Sequence, residues 1–162
     1  MQKFFILLIC CIASIICYSQ KTSEPTSPAQ SVFIEIGGNG LLFSANYDVR
    51  FGPRQNGLGG RLGVGFFGGS GGGILTVPAG INYLAGKAPN FLEVGLGYTY
   101  ATFTGSDDFF AGSGNILVPS IGYRYQQKSK GLMARVVFSP LIGLDEGGGW
   151  GFFGGIGVGY KF

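Results

Sequence analysis

The chain has 162 residues, of which 32 are Gly, 15 Phe, 8 Tyr and 1 Trp, and only 12% are charged. That composition excludes a disordered chain, which is charge-rich and poor in aromatics, and departs from a soluble α/β domain, where glycine is about 7%. With no histidine and a net charge of +3, it lacks the commonest neutral-pH base and metal ligand, and its charge is too weak and scattered for nucleic-acid binding.

Residues 1–19 open with Met1-Gln2-Lys3, continue as an apolar run from Phe4 to Cys17, and end at Ser19. This is the three-part pattern of a secretory signal, cut before Gln20. The run is too short for a bilayer-spanning helix, which needs about 20 residues. An uncleaved anchor is the competing reading; a lipoprotein signal at Cys17 conflicts with Ile16, where a small residue is required. All three cysteines (Cys10, Cys11, Cys17) lie here, so the mature chain has neither disulfide nor thiol chemistry. Residues 20–30 are polar and carry Pro25 and Pro28; they read as a flexible periplasmic lead-in.

From Ser31 to Phe162 the apolar residues alternate with period two. The spacing predicts eight strands at 31–37, 41–51, 58–67, 74–84, 91–100, 116–125, 131–140 and 151–162. Glycine recurs too often for helices. One parity of each strand is apolar and uncharged, as in Phe43, Ala45, Tyr47, Val49 and Phe51, or Leu92, Val94, Leu96, Tyr98 and Tyr100. The other parity holds Glu35, Asp48, Arg50, Arg61, Glu93, Arg124, Arg135 and Lys161 among Gly, Ser, Thr and Asn. Packing the bulky face of eight strands inside a small barrel overfills it. Turned outward, the bulky face meets lipid and the small and charged residues fill a narrow lumen, the transmembrane barrel arrangement. Backbone groups in lipid must pair internally, so the strands must close. The expected fold is an all-β, closed eight-stranded antiparallel transmembrane barrel, an up-and-down meander over 31–162.

Connections sort by length and charge. Those at 52–57, 85–90 and 126–130 are short and carry Arg54, Lys87, Lys128 and Lys130 without an acid. Those at 38–40, 68–73, 101–115 and 141–150 carry Asp107, Asp108, Asp145 and Glu146 without a base. Short periplasmic turns and longer outer loops are the outer-membrane pattern. Aromatics fall into two girdles around an aliphatic middle: Tyr83, Tyr123, Tyr125 and Tyr160 near the short turns, Phe43, Phe66, Tyr98 and Phe138 near the loops.

The final strand, with Ile156, Val158, Tyr160 and the terminal Phe162, resembles the C-terminal signal that outer-membrane barrels present to their assembly machinery. Glu35-Ile36-Gly37-Gly38-Asn39-Gly40, Ser44-Ala45-Asn46-Tyr47, and Val77-Pro78 leading to Asn82-Tyr83-Leu84 resemble small, mostly uncharacterised barrels of Bacteroidota-type bacteria. The resemblance implies location in a Gram-negative outer membrane and the barrel fold, not a reaction.

Candidate chemistry is sparse. Gly63-Val64-Gly65-Phe66-Phe67-Gly68 has dinucleotide-loop spacing, but a strand rather than a helix follows it. Asp107-Asp108 and Asp145-Glu146 are acids able to hold a hard cation, or simply solvated. A Ser–His device is excluded without histidine, and an acid pair of Glu35 with Glu93 faces arginines. No enzyme, cofactor, metal site or nucleic-acid partner is expected.

The six charges Glu35, Asp48, Arg61, Glu93, Arg124 and Arg135 form a neutral layer in the periplasmic half of the lumen, with Asp48 beside Arg61 and Glu93 beside Arg124. Above them lie small residues (Ser44, Asn46, Gly63, Gly65, Thr76, Gly97, Thr99, Ser139). The expectation is a cup open to the outside with a closed floor: a structural or surface-interaction protein in outer-membrane lipid, meeting any extracellular ligand at 68–73, 101–115 and 141–150. A narrow, porin-like passive channel or small-ligand carrier is the alternative.

Overall fold

The computed structural model describes residues 28–69, 72–105 and 112–162. The signal segment 1–19, most of the lead-in (20–27), Asp107 and Asp108 lie outside the described residues. The strands are β1 (Gln30–Gly37), β2 (Phe43–Arg50), β3 (Gly57–Gly69), β4 (Gly72–Lys87), β5 (Asn90–Gly105), β6 (Gly112–Gln126), β7 (Gly131–Phe138), β8 (Leu141–Gly143), β9 (Trp150–Gly151) and β10 (Gly154–Lys161).

Neighbours pair antiparallel, and β1 pairs with β10 as well as β2, which closes the sheet. β8 continues β7 against β6 in unchanged register, since Ile121 faces Phe138 and Leu117 faces Ile142. β9 likewise continues β10 against the same stave, with Gly154 facing Phe138 and Leu141 facing Gly151. Ten strands therefore make eight staves of one closed barrel.

The parity rule holds around the ring. Val32, Ile34, Tyr47, Leu62, Ile81, Leu96, Ile121, Val136 and Val158 project outward and exposed, while Ser31, Asn46, Asp48, Thr76, Glu93, Thr99, Arg124 and Arg135 are buried inside. An apolar belt of this extent far exceeds the patches that water-soluble monomers expose. At its loop-side rim Phe138, Phe152 and Trp150 pack in sequence, with centroids 5.7 and 5.1 Å apart, the second pair edge to face.

The structure corrects several boundaries. β2 starts at Phe43, not 41, because Gly38–Gly40 form a 3-10 turn. The β3–β4 connection shrinks from 68–73 to two residues, and the β5–β6 connection from 101–115 to 106–111. Thr102 and Phe103 continue the alternation of β5 with register partners in β4 and β6, and Thr104 with one in β4. β7 stops at Phe138 because Pro140 follows, and the last stave is interrupted at Phe152 and Phe153.

The wall is uneven in height. β4 and β5 have 16 residues each, about 53 Å at about 3.3 Å per residue, whereas β1 and β2 have 8. A tilted strand crosses a bilayer core in about 9–11 residues, so the β3–β6 hairpins overtop the rest on the loop side.

Candidate functional site: the charge cluster inside the barrel

All six predicted charges lie inside and together. Arg124 of β6 is fully buried and is the hub. Its Nε donates to Glu93 Oε2 at 2.8 Å and its Nη2 to Glu93 Oε1 at 3.2 Å. The same guanidinium reaches across to β2, donating to Asp48 Oδ1 and Oδ2 at 3.1 and 3.2 Å. Arg135 of β7 links Glu35 Oε1 at 2.8 Å with Glu93 Oε1 at 3.0 Å. Arg61 of β3 meets Glu35 Oε2 at 3.5 Å. Charge-assisted bonds of this kind are the strong ones, and buried charge persists only when so paired.

One predicted pairing is corrected. Asp48 and Arg61 are in register across β2 and β3, but they do not form the expected ion pair. Asp48 binds Arg124 and Arg50, and Arg61 turns to Glu35. An eight-stranded barrel is narrow enough for long side chains to span it, so reach across the lumen outranks adjacency along the wall. The predicted Glu93–Arg124 pair is present.

Sequence reasoning left Arg50 out of the layer. It is buried, donates to Asp48 Oδ1 at 2.7 Å and to the Gly57 carbonyl at 3.1 Å, and bonds the Asn82 side chain. Asn82 Nδ2 in turn donates to Asp48 Oδ2 at 2.6 Å. With Arg50 the cluster holds four arginines and three acids, so it is cationic rather than neutral. Glycines supply the room: a Cβ on Gly59 would meet the Arg50 guanidinium, and one on Gly157 would meet Arg135 and Phe33. The Phe33 ring lies beneath Arg61 and Arg135, 5.7 and 5.3 Å from their guanidinium carbons, where the negative ring face attracts cations.

Below the cluster, Leu84, Phe91 and Met133 form a buried apolar floor. Lys161 closes the seam beside it, its Nζ donating to the carbonyls of Gln127, Lys128 and Ser129 at 3.2, 2.9 and 2.9 Å. Above the cluster the expected open cup is filled. The Gly38–Gly40 turn folds inward and all three residues are buried. Thr99 Oγ1 donates to the Asn39 carbonyl at 2.6 Å, and Thr76 Oγ1 to the Gly40 carbonyl at 3.0 Å. The small residues make room for backbone, not for solvent. Gly37 and Gly38 have φ of 76° and 64°, the left-handed region that glycine enters without steric cost.

Glu35 and Glu93, the carboxylates weighed as an acid pair, are bridged by Arg135. Asp145, weighed as a cation ligand with Glu146, accepts from the Asn115 backbone N–H at 2.6 Å and from its Nδ2 at 2.7 Å. The Asn115 side chain, then its backbone N–H, hold the Asp145 carboxyl below the usual range. Ile156, Val158, Tyr160 and Phe162 line the outward face of the last stave, all exposed.

No family model matches the chain, and no curated protein matches it. Among solved structures, the N-terminal β-barrel domain of Pseudomonas aeruginosa OprF is similar, at a TM-score of 0.55 and 17% identity, covering 86% of this chain and 100% of that one. At that identity the likeness shows the fold: a closed eight-stranded antiparallel β-barrel of the kind found in an outer-membrane protein.

Proposed function

We propose that this is an integral protein of a Gram-negative outer membrane with a plugged lumen, serving a structural or surface-interaction role rather than transport. The observation that carries the reading is the buried cluster joining seven staves by ion pairs and hydrogen bonds, with the Gly38–Gly40 turn packed above it. The exposed apolar belt supports lipid as the surrounding phase. The basic short turns face the periplasm and the taller β3–β6 hairpins face outward. Residues 1–19 are removed as a signal, and Ile156, Val158, Tyr160 and Phe162 present the last strand to the assembly machinery.

The test is a planar-bilayer recording on the purified wild-type barrel, with membrane fractionation and mass analysis alongside. The expected result is membrane partition, heat-modifiable migration on gels, a mature start at Gln20 and no steady ion current. Large, stable single-channel currents reject the plugged lumen in favour of the narrow channel. Recovery as a soluble periplasmic monomer rejects the membrane reading itself.

A further inference from the structure

The ladder between β6 and the β7–β8 stave is interrupted midway. It runs to Ile121 opposite Phe138 and resumes at Leu117 opposite Ile142. Two residues from either end place Pro119 opposite Pro140. The Leu144 N–H donates to the Asn115 carbonyl at 2.8 Å and the Gln127 N–H to the Leu132 carbonyl at 3.3 Å, whereas the Ser139 N–H turns away to the Phe153 carbonyl at 2.8 Å. Even-numbered residues of this stave therefore bond towards β6, odd ones away. Pro119 and Pro140 occupy a position where two antiparallel residues normally exchange both N–H···O bonds. Neither has an N–H, so both bonds are lost at one level of a closed wall. The comparable interruption between β3 and β4 is milder, because Pro78 falls opposite Gly63 by the same register and glycine keeps its N–H.

A second weakness lies lower on the same line. Arg124 and Arg135 are direct cross-strand partners, and like charges so placed repel. They are held by Glu93, which reaches in from β5 to bond both. Higher up, Ser139 is buried and its hydroxyl makes no hydrogen bond among the described residues, so it adds no polar tie across the line.

We propose that the β6 to β7–β8 line is a lateral seam: the barrel wall parts there first, at the level of Pro119 and Pro140, with Glu93 as the clasp below. The direction of opening, towards lipid, rests on the membrane reading; the seam itself belongs to the fold. Amides that point across it fluctuate open more often than amides at the same height elsewhere, since local opening follows the local hydrogen-bond count.

The experiment is residue-resolved hydrogen exchange on the full barrel, purified from membranes and reconstituted in phosphatidylcholine vesicles. Flotation with the vesicles reports the membrane reading separately, before exchange is read. The amides of Leu117 and Ile142, which cross the seam, are compared with those of Tyr98 and Ala79, which cross the β4–β5 wall in register with Leu117. The expected exchange at the seam is about tenfold faster, the factor that one net hydrogen bond represents. Pro119→Val with Pro140→Val restores two donors and should remove the difference. Glu93→Gln should speed exchange at Ile121 and Phe138. Equal exchange at the two walls in the wild type overturns the proposal without any variant, and so does an undiminished difference in a folded double variant.

Discussion

Removing Arg124 should cost far more than removing Arg61, although both are inward-facing arginines of one cluster. Arg124 makes four hydrogen bonds to two carboxylates on opposite sides of the lumen. Arg124→Ala leaves Asp48 with Arg50 and Asn82, and Glu93 with Arg135 and one long contact to Asn82. Breaking a buried pair from one side costs about 3–5 kcal/mol, because the remaining charge stays desolvated. Besides its place over the Phe33 ring, Arg61 makes one ion-pair contact, at 3.5 Å, and Glu35 keeps Arg135 at 2.8 Å without it. That loss is about 1 kcal/mol. Arg124→Lys keeps the charge but not the planar fork, so it belongs between the two. Urea unfolding in lipid vesicles, followed through the single tryptophan, Trp150, reads all three on one scale. Bilayer recording on the same proteins should show Arg124→Ala raising conductance as it lowers stability, since it both strips two acids of their shared partner and opens space. Equal losses for Arg61→Ala and Arg124→Ala would refute the hub geometry, and so would an Arg124→Ala loss below about 1 kcal/mol.

Val94 and Ile121 face each other on the outward side of β5 and β6, and arginine at either should cost about 2–4 kcal/mol in lipid, against about 0–1 for Leu58→Arg near the short-turn girdle. Indistinguishable unfolding midpoints for these variants would place the belt wrongly. Gly38→Ala puts a side chain at φ of 64° and drives its Cβ into the Glu35 carboxylate; a loss of at least about 1–2 kcal/mol is expected from the backbone alone, read by the same unfolding assay. The Asp145–Asn115 tie is pH-dependent. Because the folded Asp145 carboxyl lies below its usual value, the tie is fully present above the ordinary carboxylate range and is lost as pH falls through the lowered folded value. Amide exchange at 144–149 should rise over that acidic window in the wild type and show no such step in Asn115→Ala.

The barrel was legible because every strand repeats one rule with period two, and eight repetitions leave little room for another fold. The same rule also puts Phe33, Leu84, Phe91 and Met133 inside, but these few bulky residues are scattered among the glycines of that parity and do not stand out as a floor. Arg50 has the inward parity too, but it sits at the end of β2 next to a turn, and the expected six-charge layer did not include it. Cross-lumen partners were not readable. Adjacency in the meander pairs Asp48 with Arg61, while side-chain reach across a narrow ring pairs Asp48 with Arg124. Nor could small lining residues say what fills the space above them. That depended on two consecutive positive-φ glycines, Gly37 and Gly38, turning Asn39 inward.

The meeting of β1 with β10 has a kinetic consequence. Ser31 pairs with Lys161, and the Phe162 N–H donates to the Gln30 carbonyl, so the ring is completed by the two segments furthest apart in the chain. Contacts of such long sequence separation are slow to form, because loop-closure entropy must be met before they contribute. Until that last joint forms, β1 and β10 each present an unpaired edge, the template on which strands of other chains add. A nascent copy is therefore most vulnerable between emergence of its first hairpin and arrival of Phe162, and shielding those two edges is the task that folding sets for the cell.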